Sequence, residues 1–328
     1  MSALPNATQF AAHPVELTPP DLSAWAASVT AVPYVQERAS AHSGPEILLT
    51  ALVHGNEYSG ALALDAFLRS GPTPRRGRIT AAFCNVAAFA RFVSRQPDAS
   101  RGVQEDFNRV WGAKLDAPSN GSTDSVELER ARALRLIVER ATHLLDLHSM
   151  HEPCSPLLIT GLLPRNIAFA QSLCTASQVV VDEGHADGVR MRDHGAFADA
   201  QGDRIALLLE AGQHWAAASE AVARDALMRF LVAAGALERN DVPAQWLLPD
   251  AAPPAPLHVT QRVVARSMDF AFVQDFRGGE TIARAGTVIA HDAGVPVCTP
   301  YDHCVLVMPS VRQLRPGVTT VRFARRGA

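Results

Sequence analysis

Lysine is almost missing from this chain: Lys114 is the only one among 30 basic residues. With the high alanine content, we read the arginine bias as a feature of coding, not of function. Cysteine is scarce too. The five, Cys84, Cys154, Cys174, Cys298 and Cys304, are odd in number and show no Cys-x-x-Cys spacing. That argues against a disulfide framework and against a thiolate zinc site. Excess charge is lacking, since a net charge of −3 gives no attraction to nucleic acid or to an anionic membrane. No apolar stretch approaches a membrane-spanning helix. The polar, proline-bearing first residues are not the basic segment and apolar core of an export signal. A reducing, cytoplasmic setting is the expectation.

What is present describes an ordinary globular protein. Apolar residues make up 48% and charged residues 19% of 328 positions. That length suggests one large domain and one small one. Residues 1–45 carry scattered prolines and weak periodicity, and residues 21–26 suggest a short helix.

The chain is organised around His54-Gly55-Asn56-Glu57. An apolar run, Ile47-Leu48-Leu49-Thr50-Ala51-Leu52-Val53, precedes it and reads as a buried parallel strand. Residues 58–68 follow and read as a helix. The motif thus sits at the carboxyl end of a strand, where open α/β sheets place their sites. Gly55 permits unusual dihedrals in the turn. His54 and Glu57 are ligand types that zinc accepts. A third ligand is expected at His148, which ends another short apolar strand in Leu144-Leu145-Asp146-Leu147-His148. Two histidines, one glutamate and an open position for water make a catalytic zinc pattern. His151 lies in the loop that follows and is a rival ligand or a pocket residue.

Further signals are spread along the chain. Residues 78–84 read as a second strand that ends at Asn85, read as a turn asparagine. Residues 101–111 offer Arg101, Asn108 and Arg109, which could clamp an anionic substrate through the planar guanidinium fork; solvated surface arginines are the plainer reading. Asp124 and Glu127 suggest a capping box, with Leu134, Ile137, Val138 and Ala141 on one helical face. Residues 182–203 form a polar loop with His185, Arg190, Arg192 and His194, read as either a specificity loop or a disordered surface. The apolar strand Ile205-Ala206-Leu207-Leu208-Leu209 ends on Glu210-Ala211-Gly212. A carboxylate ending a buried strand is costly unless paired or useful. Glu210 can act as the general base toward a metal-activated water; the alternative is a helix-capping acid. Residues 238–257, rich in proline, read as a linker. Beyond them short strands with glycine turns predict an all-β sandwich or barrel without a catalytic cluster.

These motifs together resemble the succinylglutamate desuccinylase/aspartoacylase family of zinc carboxypeptidase-like hydrolases. His54-Gly55-Asn56-Glu57, Asp106-Phe107-Asn108-Arg109, Asp146-Leu147-His148 and Glu210-Ala211-Gly212 stand in the family's order. The resemblance implies one Zn2+ per chain on His54, Glu57 and His148, with Glu210 as general base. It also implies that Asn108 and Arg109 bind substrate and that Arg101 polarises the scissile carbonyl. Two departures stand out. Ala200 occupies the place of an arginine that grips the acidic side chain in aspartoacylases, and their tyrosine from the C-terminal domain has no counterpart, Tyr301 being out of place.

The expected fold is α/β, a mixed sheet flanked by helices, with a small all-β C-terminal domain. Residues 1–245 form the zinc-hydrolase catalytic domain and residues 255–328 the β-rich one. The expected function is a zinc-dependent amidohydrolase that deacylates an N-acyl amino acid or a similar small amide. A zinc carboxypeptidase acting on peptides is the alternative, and a non-catalytic metal-dependent binding protein is the third reading. The expected partner is that small-molecule substrate, without nucleic acid or membrane; a homo-oligomer is compatible with the sequence.

Overall fold

The structure, a computed structural model, describes residues 13–28, 30–119, 124–184, 188–252 and 255–327. Its strands are β1 (Val35–Ala39), β2 (Glu46–Ala51), β3 (Arg78–Phe83), β4 (His143–Met150), β5 (Leu157–Ile159), β6 (Gln178–Val181), β7 (Ile205–Gln213), β8 (Leu257–Val264), β9 (Ala271–Phe272), β10 (Thr281–Ile282), β11 (Val288–Asp292), β12 (Val295–Cys298), β13 (Cys304–Val307) and β14 (Thr319–Arg326). The helices are α1 (Ser59–Ser70), the single turns α2 (Val86–Phe89) and α3 (Ala113–Asp116), then α4 (Val126–Arg140), α5 (Pro164–Ser172) and α6 (Ala217–Ala233). No helix among the described residues is long and apolar enough to cross a membrane.

One mixed sheet of 11 strands runs through the molecule in the order β1-β3-β2-β4-β7-β5-β6-β8-β14-β13-β10. Its centre, β3-β2-β4-β7, is parallel. These strands are almost continuously apolar because both faces are covered. Side chains alternate between the faces. Ile47, Leu49 and Ala51 pack under α1 and α6, while Leu48, Leu144 and Ala206 pack under α4. Each buried leucine or phenylalanine contributes roughly 1.5–3 kcal/mol. Gly60 lets α1 lie close to the sheet, since a Cβ there would stand 2.6 Å from Cβ of Leu147. The helix face expected at Leu134, Ile137 and Val138 is the buried one.

Three readings differ from the outcome. Ser125, not Asp124, caps α4, its Oγ accepting from the Leu128 N–H at 3.0 Å. Glu127 reaches instead to a neighbouring loop, and Asp124 pairs with Arg132. The strands after Leu257 form the expected all-β region, with its own apolar cluster around Ile289, Leu306 and Phe323 and a second sheet, β12-β11-β9. It is not a free-standing sandwich or barrel, because β8 pairs parallel with β6 and carries the main sheet onward. Leu257, Val305 and Val307 share a core with Leu157, Ile159 and Leu208. Part of the expected linker is likewise packed down: Trp246 is buried, and Arg229 of α6 donates to the Leu248 carbonyl.

Candidate active site

Register brings the motifs together. β2 and β4 are adjacent and parallel, and His148 of β4 lies directly across from Glu210 of β7. The carboxyl ends of three neighbouring strands therefore open on one spot. Gly55 matters there for space, not for an unusual φ. A Cβ on it would stand 2.4 Å from both the Phe89 nitrogen and the Ser100 carbonyl oxygen. Its own N–H donates to the Arg101 carbonyl at 3.0 Å. That close approach ties the loop carrying Arg101 to the motif.

The Glu57 carboxylate bridges two imidazoles. Oε1 lies 2.7 Å from His54 Nδ1 and Oε2 lies 2.9 Å from His148 Nδ1. All three residues are buried, with their donor atoms within 4.8 Å of one another. The far side of each ring also meets a carboxylate. His148 Nε2 is 2.9 Å from Asp146 Oδ2, and Asp146 Oδ1 accepts from Thr50 Oγ1 at 2.7 Å. His54 Nε2 is 3.0 Å from Asp106 Oδ1 and 2.9 Å from Arg101 Nη2. Only one of these last two is a hydrogen bond at a time, because the first needs Nε2 protonated and the second needs it bare. Burial alone would raise the Glu57 carboxyl, but the His54 and His148 charges hold it well below the usual carboxylate range. Burial alone would lower His148, but Asp146 and Glu57 hold it well above the usual histidine range.

This donor set fits a divalent cation. Two imidazole nitrogens and one carboxylate converge, and each imidazole is backed by an acid that can hold its outer N–H, the usual support for a metal-bound histidine. Without a cation, His148 meets both acids only by carrying a second proton.

Glu210 lines the same cavity. It is buried, and its Oε2 has no hydrogen-bond partner among the described residues. Burial first, and then the Glu57 charge, push its carboxyl up to about 8. Arg101 donates from Nη1 to Glu57 Oε1 at 2.9 Å, and its Nη2 lies 3.5 Å from Asp106 Oδ2. Arg109 also lines the cavity; its Nη1 donates to the Asn108 carbonyl at 2.8 Å. The Asn108 side-chain oxygen accepts from the Met191 N–H at 3.0 Å, so it anchors the 189–193 loop. Glu127 holds the 103–105 segment by accepting from the N–H groups of Val103, Gln104 and Glu105. Asn85 caps α2 and donates its Nδ2 to the same carboxylate at 3.0 Å.

His151 stands outside the ligand group and lines the cavity. Within the long loop, Arg190, Met191, Arg192, His194 and Phe197 are buried. Arg190 is buried against the cavity, with its Nε donating to Asp193 at 2.7 Å. Arg192 donates to the Thr160 carbonyl at 2.6 Å, and His194 Nδ1 lies 2.7 Å from the Trp111 carbonyl oxygen. His185 lies outside the described residues. Ala200 is exposed and does not line the cavity. Tyr301 lies 2.6 Å from the Thr260 hydroxyl and is not among the cavity's lining residues.

Sequence reading gave no role to Asp146 or Asp106. Asp146 had a usable signal, since residues two apart on a strand share a face. The cavity measures about 560 Å3, and the all-β region supplies much of its wall, including Arg262, Met308, Gln313 and Arg322. Arg322 bonds Asp182 at 3.0 Å. No sequence motif marks these residues.

Residues 43–234 match the family model described as succinylglutamate desuccinylase/aspartoacylase catalytic domain. The chain belongs to this family. Membership places it among acyl-removing hydrolases and accounts for the ordered motifs. Solved structures share the fold across both regions. A succinylglutamate desuccinylase/aspartoacylase from Rhodobacter sphaeroides is 18% identical with a TM-score of 0.63, covering 88% of this chain and 87% of its own. The product-bound ectoine utilization protein EutE (DoeB) from Ruegeria pomeroyi is 19% identical with a TM-score of 0.62, at 88% and 87% coverage. Succinylglutamate desuccinylase from Vibrio parahaemolyticus is 17% identical with a TM-score of 0.59, at 90% and 86% coverage. No match emerges among curated proteins.

Proposed function

We propose that this family member is a zinc-dependent amidohydrolase that deacylates an N-acyl amino acid or a similar small amide. The observation that carries the reading is the Glu57 carboxylate between two Nδ1 atoms, with Glu210, whose Oε2 has no hydrogen-bond partner among the described residues, on the neighbouring strand across from His148. His54, Glu57 and His148 would hold one zinc ion. When bound, zinc supplies a Lewis-acid charge to the scissile carbonyl and brings the pKa of its water to roughly 7.

The chain's own groups divide the remaining work. Glu210 takes the proton from the attacking water as the carbon–oxygen bond forms. It returns that proton to the amide nitrogen as the carbon–nitrogen bond breaks, giving an amine and a carboxylic acid that then ionises. A buried carboxyl beside another acid is suited to both halves of that exchange near neutral pH. Arg101, held by Glu57 and Asp106, supports charge on the carbonyl oxygen. Arg109, with Asn108 beside it, reads the substrate's own carboxylate; a guanidinium does so with two parallel hydrogen bonds. Asp106 and Asp146 keep the two histidines oriented.

A panel of N-acyl amino acids set against peptides with free C-termini tests this reading. Turnover of the small amides with little peptide cleavage is expected, because the all-β region walls the cavity. Preferential peptide cleavage would make the protein a carboxypeptidase instead.

A further inference from the structure

Behind the ligands a second run of polar contacts leads out of the site into the all-β region. It begins at Ser149, whose N–H donates to Glu57 Oε2 at 3.2 Å. The β4–β7 ladder slips at this point, from His148 opposite Glu210 to Met150 opposite Gln213. Ser149 has no register partner on β7, and its N–H turns to Glu57 instead. Its hydroxyl lies 2.8 Å from Nδ1 of His214. His214 is fully buried, and its N–H donates to the Met150 carbonyl at 2.9 Å. Its Nε2 lies 3.2 Å from Nδ1 of His151. Nε2 of His151 lies 2.9 Å from the amide nitrogen of Gln313, between β13 and β14.

The proton order follows from the ends. The Gln313 amide donates to His151 Nε2, so the proton of His151 sits on Nδ1 and points to His214 Nε2. The proton of His214 then sits on Nδ1 and points to Ser149 Oγ. In this order each ring offers one donor and one acceptor along the chain. Asp98 Oδ1, 3.4 Å from His151 Nδ1, is a second acceptor for the same proton. Burial, the largest cause, holds His214 well below the usual histidine range. A buried polar chain of this kind is costly unless every member is satisfied, and none of its side chains takes part in the hydrolysis described above.

We propose that His214 is a positioning residue: it holds Ser149 so that the Ser149 N–H fixes Glu57, and Gln313 of the all-β region completes the chain. The inference rests on Glu57 being a metal ligand. Its test is zinc affinity, measured by chelator competition on the full-length chain stripped and reloaded, with thermal unfolding of each metal-free variant alongside. Ser149→Ala keeps the backbone donor and removes the hydroxyl. His214→Asn keeps an amide near the Nδ1 position, and His214→Gln keeps one near Nε2. Ser149→Ala and His214→Gln should each weaken zinc about tenfold, at the low end of what orienting partners of metal ligands cost. His214→Asn should recover most of the affinity, Gln313→Leu should lose less, and the Ser149→Ala/His214→Gln double variant should be no worse than either single one. If Ser149→Ala and His214→Gln fold and bind within about twofold of wild type, or if the Asn and Gln variants lose equally, the positioning role is wrong while the metal reading stands. A wild-type chain that takes up no zinc would overturn the metal reading itself.

Discussion

The floor and the wall of the cavity are built by different means. The floor is made by strand ends: His54 after β2, His148 in β4 and Glu210 in β7, brought together by the parallel ladder. Each position is fixed by main-chain hydrogen bonds and by apolar packing on both faces. The wall is made by side chains from β8, β14 and the segment between β13 and β14. These meet the floor through pairs such as Arg322 with Asp182, Arg312 with Glu152 and Arg262 with the Gly184 carbonyl. The floor thus takes its groups from strand ends set by parallel register, whereas the wall, although β8 continues the main sheet, faces the cavity with side chains that no ladder aligns to the site.

That contrast predicts where a substitution will be felt. The largest effect belongs to the floor. Glu210→Gln should keep its zinc and lose about 10²–10⁴ in kcat, the usual contribution of a positioned proton carrier. Metal content and turnover of the purified variant decide it, and retained activity would remove Glu210 from the mechanism.

At the border of floor and wall, Arg109→Lys should act on selection. Loss of a charge-assisted contact in a desolvated site costs about 2–5 kcal/mol, at about 1.4 kcal/mol per decade. Lysine keeps the charge but not the fork, so kcat/KM should fall at least about tenfold on a free-acid substrate and much less on its amide or ester. Equal losses on both would move Arg109 out of carboxylate recognition.

The last expected effect is on stability, not on turnover. The folded, metal-free chain keeps a proton on Glu210 up to about 8, whereas the ordinary value is 4.5. Stability from that proton is full below 4.5, declines as pH rises from there and is gone above about 8. Melting temperatures of the metal-free forms from roughly pH 5 to 8 should therefore fall more steeply for wild type than for Glu210→Gln. Parallel curves would mean that Glu210 is not held protonated.

The same contrast explains what could be read from the sequence. The floor was legible because its signals are local: an apolar run that ends on a histidine or a glutamate states both the strand and the edge it reaches. Glu127 was misread as half of a capping box because its spacing fits one, while its partners, Val103 to Glu105 and Asn85, lie far off in sequence. The helix face and most of the later strands were also legible, since periodicity and glycine turns mark them. The union of β6 with β8 was not, because pairing between distant strands leaves no trace in either strand's own pattern. Arg322, Gln313 and His214 were missed for the same reason: each takes its meaning from a partner that only the folded chain supplies.

The central claim is that His54, Glu57 and His148 hold a metal ion. Zinc content per chain, measured on purified wild type after zinc addition and on His148→Ala treated alike, tests it most directly. One zinc per wild-type chain, and little or none in His148→Ala, is the predicted result. A wild-type chain without stoichiometric zinc, or a His148→Ala chain that keeps it, would contradict the account.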